Sequence, residues 1–138
     1  MDRLFLDANV LFSAAYRPEA GLVRLWKLRD VVLCTSHYAA EEARLNLSDD
    51  AQRERLAALL LTLQFCEASE RGLPRGVSLP EKDAPILIAA IEAGATHLLT
   101  GDVRHFGPYF GKTIEGVLIS LPGRVLATSK LNRRLSAT

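Results

Sequence analysis

The chain has 138 residues, of which 49% are apolar and 24% charged, a composition that fits a single domain with a substantial core and an ordinary polar surface. Its formal net charge of +1 excludes a strongly polyanionic or polycationic protein but leaves room for a local acidic cleft. No apolar run approaches the roughly 20 residues needed to span a bilayer and no signal peptide is visible, so the expectation is a cytoplasmic protein with no membrane role.

Residues 4–6 are a short apolar run ending at Asp7 and predict a buried strand. Residues 8–15 read as a turn into a helix, with Asn9 near its start. Residues 20–29 predict a second helix, with Leu22, Val23, Leu25, Trp26 and Leu28 on a broad apolar face. Residues 31–34 predict a second strand, after which Thr35 and Ser36 suit the N-cap of a helix over 38–47. The cluster Ser48-Asp49-Asp50 caps another helix over 51–63, and Phe65 and Cys66 form a brief third strand. Residues 67–82, with Gly72, Pro74, Gly76 and Pro80, are loop-like. Asp83 opens a strongly apolar helix that tolerates Pro85 in its first turn and ends near Gly94. Residues 97–99 and 117–119 predict the fourth and fifth strands. The domain is expected over 1–128, with a polar, basic tail over 129–138. Cys34 and Cys66, without a CxxC pair or a histidine at ligand spacing, read as reduced core thiols.

Alternation of strands and helices, with continuously apolar strands, points to a mainly parallel sheet covered on both faces. Ligands of such sheets bind at the carboxyl ends of the strands. Asp7 ends the first strand and Asp102 follows the fourth by two residues. Glu42 lies in the second turn of the helix after strand two, and Asp83 begins the helix that leads into strand four. Taken alone, Asp7 and Asp83 also read as helix caps, Glu42 as a solvated helix residue and Asp102 as a turn residue. Together they fall near one sheet edge. Converging carboxylates repel, and a divalent cation relieves that repulsion. An all-oxygen set suits Mg²⁺ or Mn²⁺, and no histidine or cysteine cluster offers a zinc site. Such a centre suits phosphodiester chemistry. A haloacid-dehalogenase-like phosphatase needs Asp-x-Asp, which Asp7-Ala8-Asn9 does not supply, and the acidic pattern of a response-regulator receiver is absent.

Four segments in order resemble the motifs of PIN domains: Leu4-Phe5-Leu6-Asp7-Ala8-Asn9-Val10-Leu11; Ser36 through Glu41-Glu42; Lys82-Asp83-Ala84-Pro85-Ile86-Leu87; and Leu98-Leu99-Thr100-Gly101-Asp102. The chain is similar to the bacterial members of that family related to VapC-like toxins. The resemblance implies a three-layer α/β/α fold with a central, mainly parallel five-stranded sheet. It also implies a Mg²⁺- or Mn²⁺-dependent endoribonuclease, the toxin of a type II toxin–antitoxin pair, leaving 5′-phosphate and 3′-hydroxyl ends. By the same resemblance Asp7, Glu42, Asp83 and Asp102 are the catalytic, metal-binding acids, with Asn9 and Thr100 supporting them. Glu42 is preferred to Glu41 because it stands six residues after Ser36, while Glu41 points about 100° away on a helix. Many relatives carry a further acid where this chain has His105. The alternative is an inactive PIN-like module that binds RNA or protein.

Arg104, two residues from Asp102, and His105 are the candidate substrate contacts, with Arg24, Lys27, Arg44, Lys112, Arg124, Arg133 and Arg134 as further phosphate contacts. The implied partners are RNA, a cognate antitoxin protein and a second copy of the chain. The apolar helix faces around 22–28 and 56–63 serve either the homodimer or the core.

Overall fold

The computed structural model describes residues 1–128. The expected tail over 129–138, with Arg133 and Arg134, lies outside the described residues. Six strands form one sheet: β1 (Asp2–Leu6), β2 (Val31–Thr35), β3 (Gln64–Phe65), β4 (His97–Leu99), β5 (Thr113–Ile114) and β6 (Val117–Ser120), in the order β3-β2-β1-β4-β6-β5. All pairings are parallel except β5 with β6. Leu4, Phe5 and Leu6 are each fully buried. Successive strand residues face opposite sides, so this central strand is covered on both faces. No helix among the described residues is long and apolar enough to cross a membrane.

Helices among the described residues include α1 (Ala8–Ala15), α2 (His37–Asn46), α3 (Asp50–Leu60), α4 (Ala84–Glu92) and α5 (Val103–Phe106). Local chemistry sets their starts. The Ser36 hydroxyl accepts the Ala39 N–H at the head of α2, and Asp49 with Gln52 closes a reciprocal capping box on α3. The segment expected as an α-helix over 20–29 is instead a 3₁₀ helix, Gly21–Lys27. Only Leu25 of that segment is fully buried, so no continuous apolar stripe demands the α-helical period. Leu25 and Leu56 belong to the core, whereas Leu61 is exposed. Cys34 is buried, Cys66 is half-buried and both are free thiols.

The expected five strands are present, and a sixth is added at the edge. Strand β5 turns into β6 through Glu115 and Gly116, both at positive φ (45° and 86°). A two-residue hairpin turn needs that left-handed backbone, and Gly116 adopts it without a Cβ clash. The usual Asn-Gly signal is absent, which is why the pair does not announce itself in the sequence.

The strand order reverses around β1 and β4: the chain moves outward through β2 and β3, then returns to place β4 on the other side of β1. Leu6 pairs with Leu99, so both strands end at the same height. That reversal opens a crevice at their carboxyl ends.

Candidate metal centre

Asp7 is the first residue beyond β1 and is only 4% exposed. Its Oδ1 accepts the Ala8 N–H at 2.7 Å. Its Oδ2 accepts from the Thr100 hydroxyl at 2.8 Å and from Asn9 Nδ2 at 3.2 Å. Having donated its proton to Asp7, the Thr100 oxygen accepts from Asn9 Nδ2 at 3.2 Å and from the Asp102 N–H at 3.1 Å. Asn9 Oδ1 in turn accepts the Gly101 N–H at 2.8 Å. A Cβ at Gly101 would stand 3.3 Å from that oxygen, so glycine permits the close approach. Asn9 and Thr100 thus stitch the ends of β1 and β4 together and orient Asp7.

Asp83 reaches the same crevice from the loop before α4. Its carbonyl starts the helix by accepting from Ile86 and Leu87, but its side chain makes no capping bond. The cap reading therefore fails for this residue. By contrast, Asp7 and Asp102 each accept a main-chain N–H at the head of a helix and also face the crevice. The Tyr38 hydroxyl donates to the Lys82 carbonyl at 2.7 Å, tying α2 to the loop before Asp83. One turn further along α2, Glu42 lines the crevice. Its neighbour Glu41 points to solvent and pairs with Arg44 at 2.6 Å.

The crevice is a cavity of about 420 Å³ lined by Asp7, Ala8, Asn9, Phe12, Glu42, Asn46, Lys82, Asp83 and Asp102. All four acids picked from the sequence meet there. Two other clefts, of about 480 and 570 Å³, hold one carboxylate each, Asp2 and Glu115, so volume does not decide the site. Besides Ala8, three lining residues escaped the sequence reading. Lys82 adjoins Asp83 in sequence. Phe12 stands three residues after Asn9 on α1 and Asn46 four after Glu42 on α2, the spacings that share a helix face.

Burial pushes the Asp7 carboxyl up to about 6; bonds from Thr100 and Ala8 restrain the rise, and the charges of Glu42 and Asp83 add to it. Burial also raises Asp83, with His105 and Lys82 opposing and Asp102 reinforcing. Tyr38 is raised by burial and then by Glu42, Asp83 and Asp7, a second sign that these charges converge. Asp102 is the exception. Burial pushes it up, but the His105 N–H, the His105 ring and the Arg104 N–H together hold it below the ordinary carboxylate range.

His105 does not simply pack beside Phe106. Its Nδ1 lies 2.9 Å from Asp102 Oδ2 and 3.0 Å from Asp83 Oδ2. One ring nitrogen carries at most one proton, and the hydrogen bond runs to Asp102. Asp83 Oδ2 is left buried without a hydrogen-bond partner. Arg104 is exposed and is not among the residues lining the cavity.

The molecule is therefore an α/β protein with an acidic crevice at the switch point of a mainly parallel sheet. The family model for the PIN domain matches residues 3–104, a span that holds all four acids and stops one residue before His105. The chain belongs to the PIN domain family. Its fold is shared with a chain in the crystal structure of VapBC2 from Rickettsia felis bound to a DNA fragment from their promoter. The TM-score is 0.61 at 15% identity, covering 86% of this chain and 98% of that one. Among curated proteins none matches the sequence.

Proposed function

We propose that this protein is a Mg²⁺- or Mn²⁺-dependent endoribonuclease, the toxin of a type II toxin–antitoxin pair, acting in the cytoplasm at the crevice of Asp7, Glu42, Asp83 and Asp102. The observation that carries the metal reading is Asp83 Oδ2, a buried carboxylate oxygen beside further acids that has no hydrogen bond of its own, the nearby His105 Nδ1 being bonded to Asp102. A buried anion without a donor is unfavourable, and a cation in the crevice would complete its contacts. The oxygen-rich donor set fits a hard divalent ion. Asp7 and Asp102 would be the principal ligands, with Glu42 and Asp83 completing the pocket directly or through water. Such an ion, when bound, polarises a phosphoryl oxygen and supplies hydroxide near neutral pH.

The chain's own side chains do the positioning. Thr100 and Asn9 fix the Asp7 carboxylate and, through the Asp102 N–H, the main chain of the second principal acid. Lys82 on the cavity wall and the exposed Arg104 outside it are the basic side chains that would meet phosphate. Membership of the PIN family supports nuclease chemistry, and the fold shared with a VapBC2 chain supports a cognate antitoxin as partner. A homodimer belongs to the same reading.

The test is cleavage of single-stranded RNA by purified protein with Mn²⁺, compared with Asp7→Asn. The expected result is cleavage giving 5′-phosphate ends by the wild type and none by the variant. Equal cleavage by both would identify a contaminant and sink the proposal.

A further inference from the structure

His105 brings to this cluster a chemistry the four acids lack. We propose that His105 is itself a metal ligand. Its Nδ1, with Asp83 Oδ2 and Asp102 Oδ2, forms a site of two carboxylates and one imidazole that selects a first-row transition-metal ion over Mg²⁺. The proposal rests on the metal reading of the crevice and adds to it one ligand and the class of ion.

The placement comes from α5. Asp102 caps this short helix and accepts the His105 N–H at 3.1 Å, so the ring folds back over the carboxylate three residues before it. The donor atoms of Asp83, Asp102 and His105 all lie within 4.8 Å of one another. The two N···O separations are 2.9 and 3.0 Å. Neighbouring donors around an octahedral ion with bonds of about 2.1 Å stand √2 times that apart, about 3.0 Å. Both separations from the ring nitrogen thus already match adjacent ligands.

Asp83 Oδ2, 3.0 Å from the Nδ1 that bonds Asp102, has no hydrogen bond of its own, a second sign that something is to be bound. Asp83 is 8% exposed, so water offers that oxygen little compensation. A single Nδ1 proton serves only one of the two carboxylates. A cation between the three atoms serves both, with the ring carrying its proton on Nε2 instead. Nitrogen in the donor set then decides the ion. Mg²⁺ prefers oxygen and sheds its water reluctantly, whereas imidazole suits transition-metal ions.

The experiment uses the full 138-residue chain stripped of metal by chelation and titrated with Mn²⁺, with Mg²⁺ as competitor. Electron spin-echo modulation of the bound Mn²⁺ reads directly whether a ring nitrogen is coordinated. The expected wild-type result is one saturable Mn²⁺ with ¹⁴N coupling. In His105→Asp, which keeps an oxygen donor, the coupling vanishes, and the preference for Mn²⁺ over Mg²⁺ falls by about tenfold or more. The wild-type spectrum stands even if the variant folds poorly. Saturable Mn²⁺ binding without ¹⁴N coupling overturns the assignment of His105 while leaving the metal reading of the crevice intact. Coupling that persists in His105→Asp, and so belongs to His37 or His97, does the same. Absence of saturable Mn²⁺ binding overturns both.

Discussion

Asp7 stands where an apolar strand gives way to solvent, and its burial makes it the acid most sensitive to its own charge. Its folded-state value of about 6 lies above the ordinary 3.8, so the fold binds the proton more tightly than the unfolded chain does. The sign follows: the stabilisation is complete below the ordinary value and is lost as pH rises through about 6. The gap amounts to about 3 kcal/mol. In the presence of a chelator, wild-type stability should therefore fall between pH 4 and 7 and then level off. Asp7→Asn, which stays neutral, should fall less and be the more stable protein at pH 7.5. Thermal unfolding of the two across that range checks this, and a wild type that is equally or more stable at pH 7.5 would contradict it. Of the residues around Asp7, the sequence revealed Asn9 and Thr100 through motif order. It could not reveal that the Thr100 oxygen serves three partners at once, because those partners meet only when β1 and β4 pair. His105 was visible as a departure from the family pattern. Its position between two carboxylates depends on where the loop before α4 lays Asp83, which no spacing encodes.

At the scale of elements, two helix caps separate stability from site geometry. Ser36 caps α2, the helix that carries Glu42, and Asp49 caps α3, which contributes no residue to the cavity lining. Replacing either by alanine should cost about 1 kcal/mol. Ser36→Ala should also weaken Mn²⁺ binding by loosening the first turn of α2, whereas Asp49→Ala should leave it unchanged. Denaturant unfolding alongside metal titration checks both, and equal affinities in the two variants would show that the α2 cap does not position Glu42. These caps were readable in advance because a serine or aspartate before a helical run satisfies local backbone groups regardless of the rest of the fold. So were β1, β2, α4 and β4, whose apolar runs have no destination but the core. The less legible elements have their form decided elsewhere. The 3₁₀ turn over Gly21–Lys27 buries only Leu25, and the two-residue β5 exists only as the partner of β6. The four-residue α5 is too short for a period to show and is held by Asp102.

Across the whole molecule, a formal net charge of +1 conceals a concentration of four carboxylates at one end of the sheet. The core does not depend on neutralising them. Leu4, Phe5, Leu6, Leu98 and Leu99 are fully buried on paired strands whatever occupies the crevice. A cation held there should therefore raise stability by linkage without being required for folding, unlike a structural zinc whose ligands replace a core. At a free Mn²⁺ concentration a hundred times the dissociation constant, the gain is about 2.7 kcal/mol. For a domain of this size that raises Tm by about 10 °C. Removing the ion with a chelator should return Tm to its lower value while leaving the circular dichroism of the folded chain and a cooperative transition intact. In Asp7→Asn, which lacks one principal carboxylate, the Mn²⁺-induced rise should be much smaller. Loss of secondary structure on chelation would make the ion structural rather than a tenant of a preformed crevice. An unchanged Tm with Mn²⁺ would mean that the four acids share a crevice without sharing a metal.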